Sequence, residues 1–208
     1  YSYPDREVGI AGVYALSMRK SASTTSPQFS ARYYEIAGAK GDVAVSFVGD
    51  TDARQIATGC RSGRLCWWSG NGDAIDSSMT RQFDLTEVAT ATLEFMVWHD
   101  IERGWDFAYV EASADGGRTW DILDTPHTTS DNPSGNSYGH AYTGQSLGWV
   151  RESIDLTRYA GGSVLVRFEY ITDDAVYLDG LVLDDIALPE IGFFDDAEQA
   201  RGWDARGF

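Results

Sequence analysis

The sequence predicts an all-β protein built as an antiparallel two-sheet sandwich, and three observations carry the prediction. Short runs of alternating apolar and polar residues dominate the chain, and Gly, Asp, Asn and Ser separate them. Helical periodicity is nearly absent. The clearest run, Val164–Ile171, sets Val164, Val166, Phe168 and Tyr170 on one face and Leu165, Arg167 and Glu169 on the other. One face is then buried and one wet, as antiparallel sheets allow.

The other strong runs are Val43–Val48, Ala91–His99, Phe107–Ser113 and Leu181–Leu188. Two strands have the same lead-in. Phe83-Asp84-Leu85-Thr86 precedes Ala91–His99, and Ile154-Asp155-Leu156-Thr157 precedes Val164–Ile171. The Asp and Thr side chains can hold a turn by bonding nearby backbone, which makes this a structural device used twice. Ser113–Trp120 follows the Asp-box pattern Ser-x-Asp-x-Gly-x-Thr-Trp, a hairpin signature in which Asp115 caps the turn's amides and the glycines take positive φ. Phe47–Ala53 resembles Phe193–Glu198, and each reads as an opening strand. The expected organisation is a small N-terminal β segment (1–42), a main sandwich (43–190) and a tail (191–208). The tail is either an extra strand or the start of a following module. The chain starts at Tyr1 rather than Met, which reads as a processed product or an excised piece.

The 208 residues carry 32 acidic and 16 basic side chains, a formal net charge of −16. Nucleic acid is disfavoured, because phosphates must be met by clustered Lys and Arg. An anionic membrane surface is disfavoured for the same reason, and no apolar run is long enough to insert in a bilayer. The excess acid fits a solvated surface, and part of it fits a divalent cation held by oxygen ligands. Cys60 and Cys66 flank a segment able to turn, which reads as a small disulfide loop. Asp184 and Asp185 lie in an otherwise apolar strand, so alternation pushes one carboxylate toward the core. It then needs a metal, an Arg or backbone amides. Glu102 and Asp106 sit on an acidic connection and Asp73 on an oxygen-rich loop. Zinc-peptidase, nucleophile-elbow and phosphate-loop signatures are absent, so the chain reads as non-catalytic, with a hydrolase the last-ranked alternative.

Several motifs occur in the order found in the post-catalytic β region of immune inhibitor A-like (M6-type) peptidases. They are Trp67-Trp68-Ser69, Arg81–Leu85, Trp98–Glu102, Asp106–Val110, Ser113–Trp120, Tyr142-Thr143-Gly144, Arg167–Asp173 and Leu183–Ile186. Over about Gln28 to Glu190 the chain resembles that family. The resemblance implies a MAM-like jelly-roll sandwich, an extracellular or cell-surface location and structural Ca2+. Asp184 and Asp185 are the first candidate ligands, with Asp50, Asp52, Asp73, Glu102 and Asp106 next. The family's peptidase motif is missing, so only an accessory role carries over. Expected partners are other domains of a parent protein or neighbouring surface subunits. A carbohydrate-binding module is the first rival and would stack glycans on exposed rings from among Trp67, Trp68, Trp105, Trp149, Tyr138 and Tyr142. A subunit of a surface layer or filament, joined by strand addition of the tail or the N-terminal arm, is the second.

Overall fold

The structure is a computed structural model that describes residues 12–24, 31–49 and 54–208. The chain divides into two compact units, Tyr1–Ala53 and Arg54–Phe208. In the first unit, β1 (Val13–Leu16) pairs in parallel with β2 (Tyr33–Ile36). The run Val43–Val48, expected as a strand, forms none, and Phe47 and Val48 are exposed. Alternation supplies a strand's faces but not the neighbour its backbone must pair with. Asp50 and Asp52 lie outside the described residues.

The second unit is the sandwich. Its strands in chain order are β3 (Trp67–Trp68), β4 (Asp76–Asp84), β5 (Thr92–Ile101), β6 (Phe107–Ser113) and β7 (Asp121–Ile122). There follow β8 (Gly144–Gln145), β9 (Val150–Asp155), β10 (Ser163–Ile171), β11 (Gly180–Leu188), β12 (Phe193–Asp195) and β13 (Asp204–Arg206). One sheet runs β13-β4-β10-β6-β7. The other centres on β11 and β5, with β12 and β3 on the far side of β11 and β8 and β9 on the far side of β5. The segment after Glu190 therefore adds one strand to each sheet. Trp203 in that segment packs against Phe83, Phe168 and Phe193.

The faces follow the alternation in β10. Val164, Val166, Phe168 and Tyr170 are buried in the shared core with Phe95, Leu93 and Leu183. Burying each such side chain stabilises the fold by roughly 1.5–3 kcal/mol. The repeated lead-ins act alike: Asp84 accepts from the Thr86 N–H at 3.0 Å, and Asp155 from the Thr157 N–H at 2.8 Å. Leu85 and Leu156 are fully buried beneath these turns. The Asp box closes as expected, with Asp115 Oδ1 accepting from the Arg118 and Thr119 N–H groups at 3.0 Å. Gly116 and Gly117 supply φ of 74° and 86° there.

β6 departs from one-sided burial, since all seven of its residues are buried. The segment after β7 folds back and bridges β6 at Ala108 through Tyr142. It covers Phe107 and Tyr109 with Ala141, making a second small apolar cluster on the outer face. Further along that face, Arg167 pairs with Glu111 at 2.5 Å and with Glu169 at 3.3 Å. Burial, then repulsion from Glu111 and Asp76, push the Glu169 carboxyl up to about 7, against the pull of Arg167. A raised folded-state value means the native state keeps a proton that the unfolded chain has lost. Stability from this group therefore falls as pH rises from about 4.5 to 7 and then levels. Glu169→Gln is expected to match the parent at pH 4 and to exceed it by about 1–2 kcal/mol at pH 8. Urea unfolding at the two pH values measures this.

Candidate metal centre

β10 lies between β4 and β6 and runs antiparallel to both, so its C-terminal end meets the start of each. Ile171 is in register with Asp76 on one side and Phe107 on the other. Three loops therefore share one end of the sandwich: 69–75 before β4, 102–106 before β6 and 172–179 after β10. Thr172 ties the first to the third. Its hydroxyl donates to the Gly72 carbonyl at 2.8 Å and accepts the Ile75 N–H at 3.0 Å. The middle loop is a tight turn in which the Asp106 N–H donates to the Glu102 carbonyl at 3.2 Å. Gly104 takes φ 78° at its tip, and a side chain there would sit 2.7 Å from Pro133.

These loops bring Glu102, Asp106 and Asp173 together, with one carboxylate oxygen from each lying within 4.8 Å of the others. Asp106 is wholly buried. Its Oδ1 accepts the Asp173 N–H at 2.9 Å, whereas its Oδ2 is buried without a hydrogen-bond partner. The buried Tyr170 hydroxyl lies beside Asp106, close enough to interact with its carboxylate though outside normal hydrogen-bond geometry. Burial raises the Asp106 carboxyl to about 6, repulsion from Asp173, Glu102 and Asp73 adds to it, and the Asp173 N–H opposes it. An ionised, dry carboxylate beside three acids is costly unless it keeps its proton or a cation joins it. The donors are all hard oxygens, with no Cys or His among them, which suits calcium better than zinc.

The acidic pair of β11 is used differently. Between the pairs Asp184–Met96 and Ala187–Glu94, β11 advances three residues while β5 advances two. Asp185 is the extra residue of this bulge, with φ 50°. The bulge switches the alternation, so Leu183 and Ile186 both face the core. Neither carboxylate is driven into the core, contrary to the strict alternation. Asp184 turns under the loop closed by the Cys60–Cys66 disulfide. Its Oδ2 accepts the Arg61 and Ser62 N–H groups at 2.9 Å, and its Oδ1 accepts the Asp185 N–H at 2.9 Å. Asp185 accepts the Ser62 hydroxyl at 2.7 Å. Backbone amides thus meet the charge of Asp184. Asp73 is exposed beside the triad.

The six candidate stacking rings also separate. Tyr142 is buried, with its hydroxyl donating to the buried Glu152 at 3.0 Å, and it offers no ring face to a ligand. Trp67 is partly buried against the core and donates to Asp195 at 3.1 Å. Trp68 and Trp149 are partly buried, their indole N–H groups donating to the carbonyls of Asp179 and Gly59. Trp105 and Tyr138 are exposed and line one cleft with Asp173.

Residues 44–208 match the family described as Immune inhibitor A-like, MAM domain. The chain belongs to this family. It is 32% identical over 149 residues to the pre-pro-metalloprotease PrtV of Vibrio cholerae, which covers 70% of this chain and 16% of that protein. It is 33% identical over 140 residues to immune inhibitor A of Bacillus thuringiensis subsp. alesti, covering 65% of this chain and 19% of the relative. Bacillopeptidase F of Bacillus subtilis is 26% identical over 98 residues, covering 47% of this chain and 6% of that protein. The chain thus spans less than a fifth of these relatives and corresponds to an accessory MAM domain within larger, peptidase-type proteins.

Within this MAM domain, sequence reasoning picked out Glu102 and Asp106 but not Asp173 as a ligand. Asp173 stands 67 residues beyond Asp106, and only the pairing of β10 with β6 joins them. Asp184→Asn is expected to destabilise the domain by about 1–3 kcal/mol by leaving backbone donors unmet. Urea unfolding in calcium and in chelator should give the same loss, because this carboxylate is satisfied by amides.

Proposed function

We propose that this chain is a non-catalytic, calcium-stabilised accessory domain of an extracellular, immune inhibitor A-like protein. The observation that carries the reading is the meeting of Glu102, wholly buried Asp106 and Asp173, with one carboxylate oxygen from each within 4.8 Å of the others. The three side chains supply hard oxygen ligands from two loops, and calcium's flexible coordination by six to eight oxygens accommodates loop donors. A bound cation cancels the repulsion among the acids and pins the 102–106 turn to the end of β10. The role is to hold one end of the sandwich rigid while the domain sits beside others in a longer chain. The family membership supports the accessory role, and the metalloprotease and immune inhibitor names of the relatives support a peptidase-type parent. The disulfide supports an oxidising location.

Thermal unfolding of the metal-free chain tests the reading. Calcium at a hundredfold excess over Kd adds about 2.7 kcal/mol, which raises Tm by roughly 5–10 °C for a domain of this size. Asp106→Asn should fold as stably as the parent in chelator and should not respond to calcium. No shift in the parent, or an equal shift in the variant, would refute the assignment.

A further inference from the structure

A cleft of about 320 Å³ lies beside the acidic triad, with Trp105, Phe107, Tyr109, Asn136, Tyr138 and Asp173 in its lining. Its volume falls at the low end of the range for small-molecule sites, room for roughly one or two sugar rings. Phe107 and Tyr109 are buried and form its floor, while Trp105 and Tyr138 are 50% and 74% exposed and stand as its walls. Two aromatic rings flanking one cleft offer the flat apolar faces on which a ligand ring can stack.

The wall bearing Tyr138 is braced from several sides. Asn132 accepts the Ser137 N–H and donates to the Ser137 carbonyl, both at 3.0 Å. The Ser134 hydroxyl donates to the Gly104 carbonyl at 2.6 Å. The Tyr138 N–H donates to the Tyr109 hydroxyl at 3.1 Å. These bonds tie the 132–138 loop to the loop that carries Trp105, so the walls are set before any ligand arrives. The segment Asn132–Tyr138 holds no charged residue. Its Asn, Ser, Gly and Tyr offer amides, hydroxyls and ring faces, a composition that recognises polar surfaces with little ordering cost.

We infer that this cleft binds a neutral saccharide. Its ring face would lie against Trp105 and Tyr138, with its hydroxyls toward Asn136 and the Asp173 carboxylate. An anionic glycan is disfavoured by Asp173 at the lining and by the chain's net charge of −16. The inference rests on the metal reading in one respect only, that the cation fixes the Asp173 side chain shared by both sites.

Saturation-transfer NMR and calorimetry with the 208-residue chain provide the test, using cello-, xylo-, manno- and chitotriose in the presence of calcium. At least one is expected to bind, and Trp105→Ala and Tyr138→Ala are each expected to weaken it tenfold or more while leaving the calcium shift of Tm unchanged. Binding of none of the four, or binding indifferent to both substitutions, overturns the inference. Tetramethylammonium serves as a second probe. If it alone binds and depends on the same rings, the cleft is a cation cage and the saccharide assignment fails. Asp106→Asn separates the two sites: a calcium shift of Tm that persists in this variant sinks the metal reading and leaves the cleft standing, whereas saccharide binding that is lost in the parent as well overturns the cleft alone.

Discussion

β10 pairs along its whole length with β4 on one side and over its last seven residues with β6 on the other. That double pairing sets both the core and the site. It buries the four core-facing side chains of β10 against the second sheet. It also fixes where the chain must turn, because β10 ends where both its neighbours begin. Three acid-bearing loops are thereby gathered at one end of the sandwich. The cost of crowding their charges falls on Asp106, the carboxylate that the packing leaves dry. The proposed cation would relieve that cost without any new protein contact, as would a retained proton.

The two acidic sites of the domain show how similar residues reach different solutions. Asp184 is as buried as Asp106. The loop closed by Cys60 and Cys66 delivers two backbone N–H groups to it, and the Asp185 N–H completes the set. Asp106 receives one such donor, from Asp173. The difference is one of local supply: a short disulfide loop offers amides, whereas the meeting of three strand ends offers mainly carboxylates. Asp195 gives a third solution, accepting the indole N–H groups of Trp67 and Trp203.

Much of this is legible in the sequence. The period-two pattern of Val164–Ile171, the twin Asp-Leu-Thr lead-ins and the Asp box depend on neighbours within a few residues, and each folds as its sequence states. Val43–Val48 has the same local pattern but forms no strand, because a strand needs a partner that a single segment does not encode. The faces of Leu181–Leu188 depart from strict alternation at one point, where the Asp185 bulge inserts a residue and reverses it. Glu102 and Asp106 stood out by residue type, whereas Asp173 did not, since its place beside them is a property of sheet register. Tyr142 looked like a surface ring within a polar stretch, yet the fold draws it inward to Glu152.

We propose a cation among Glu102, Asp106 and Asp173, the three acids that the loops bring together. Anomalous diffraction from crystals grown with calcium, or with a lanthanide in its place, tests it most directly. One peak is expected roughly 2.3–2.6 Å from a carboxylate oxygen of each of the three residues. A peak beside Asp184 and Asp185 with none at the triad, or no peak in the domain at all, would contradict it.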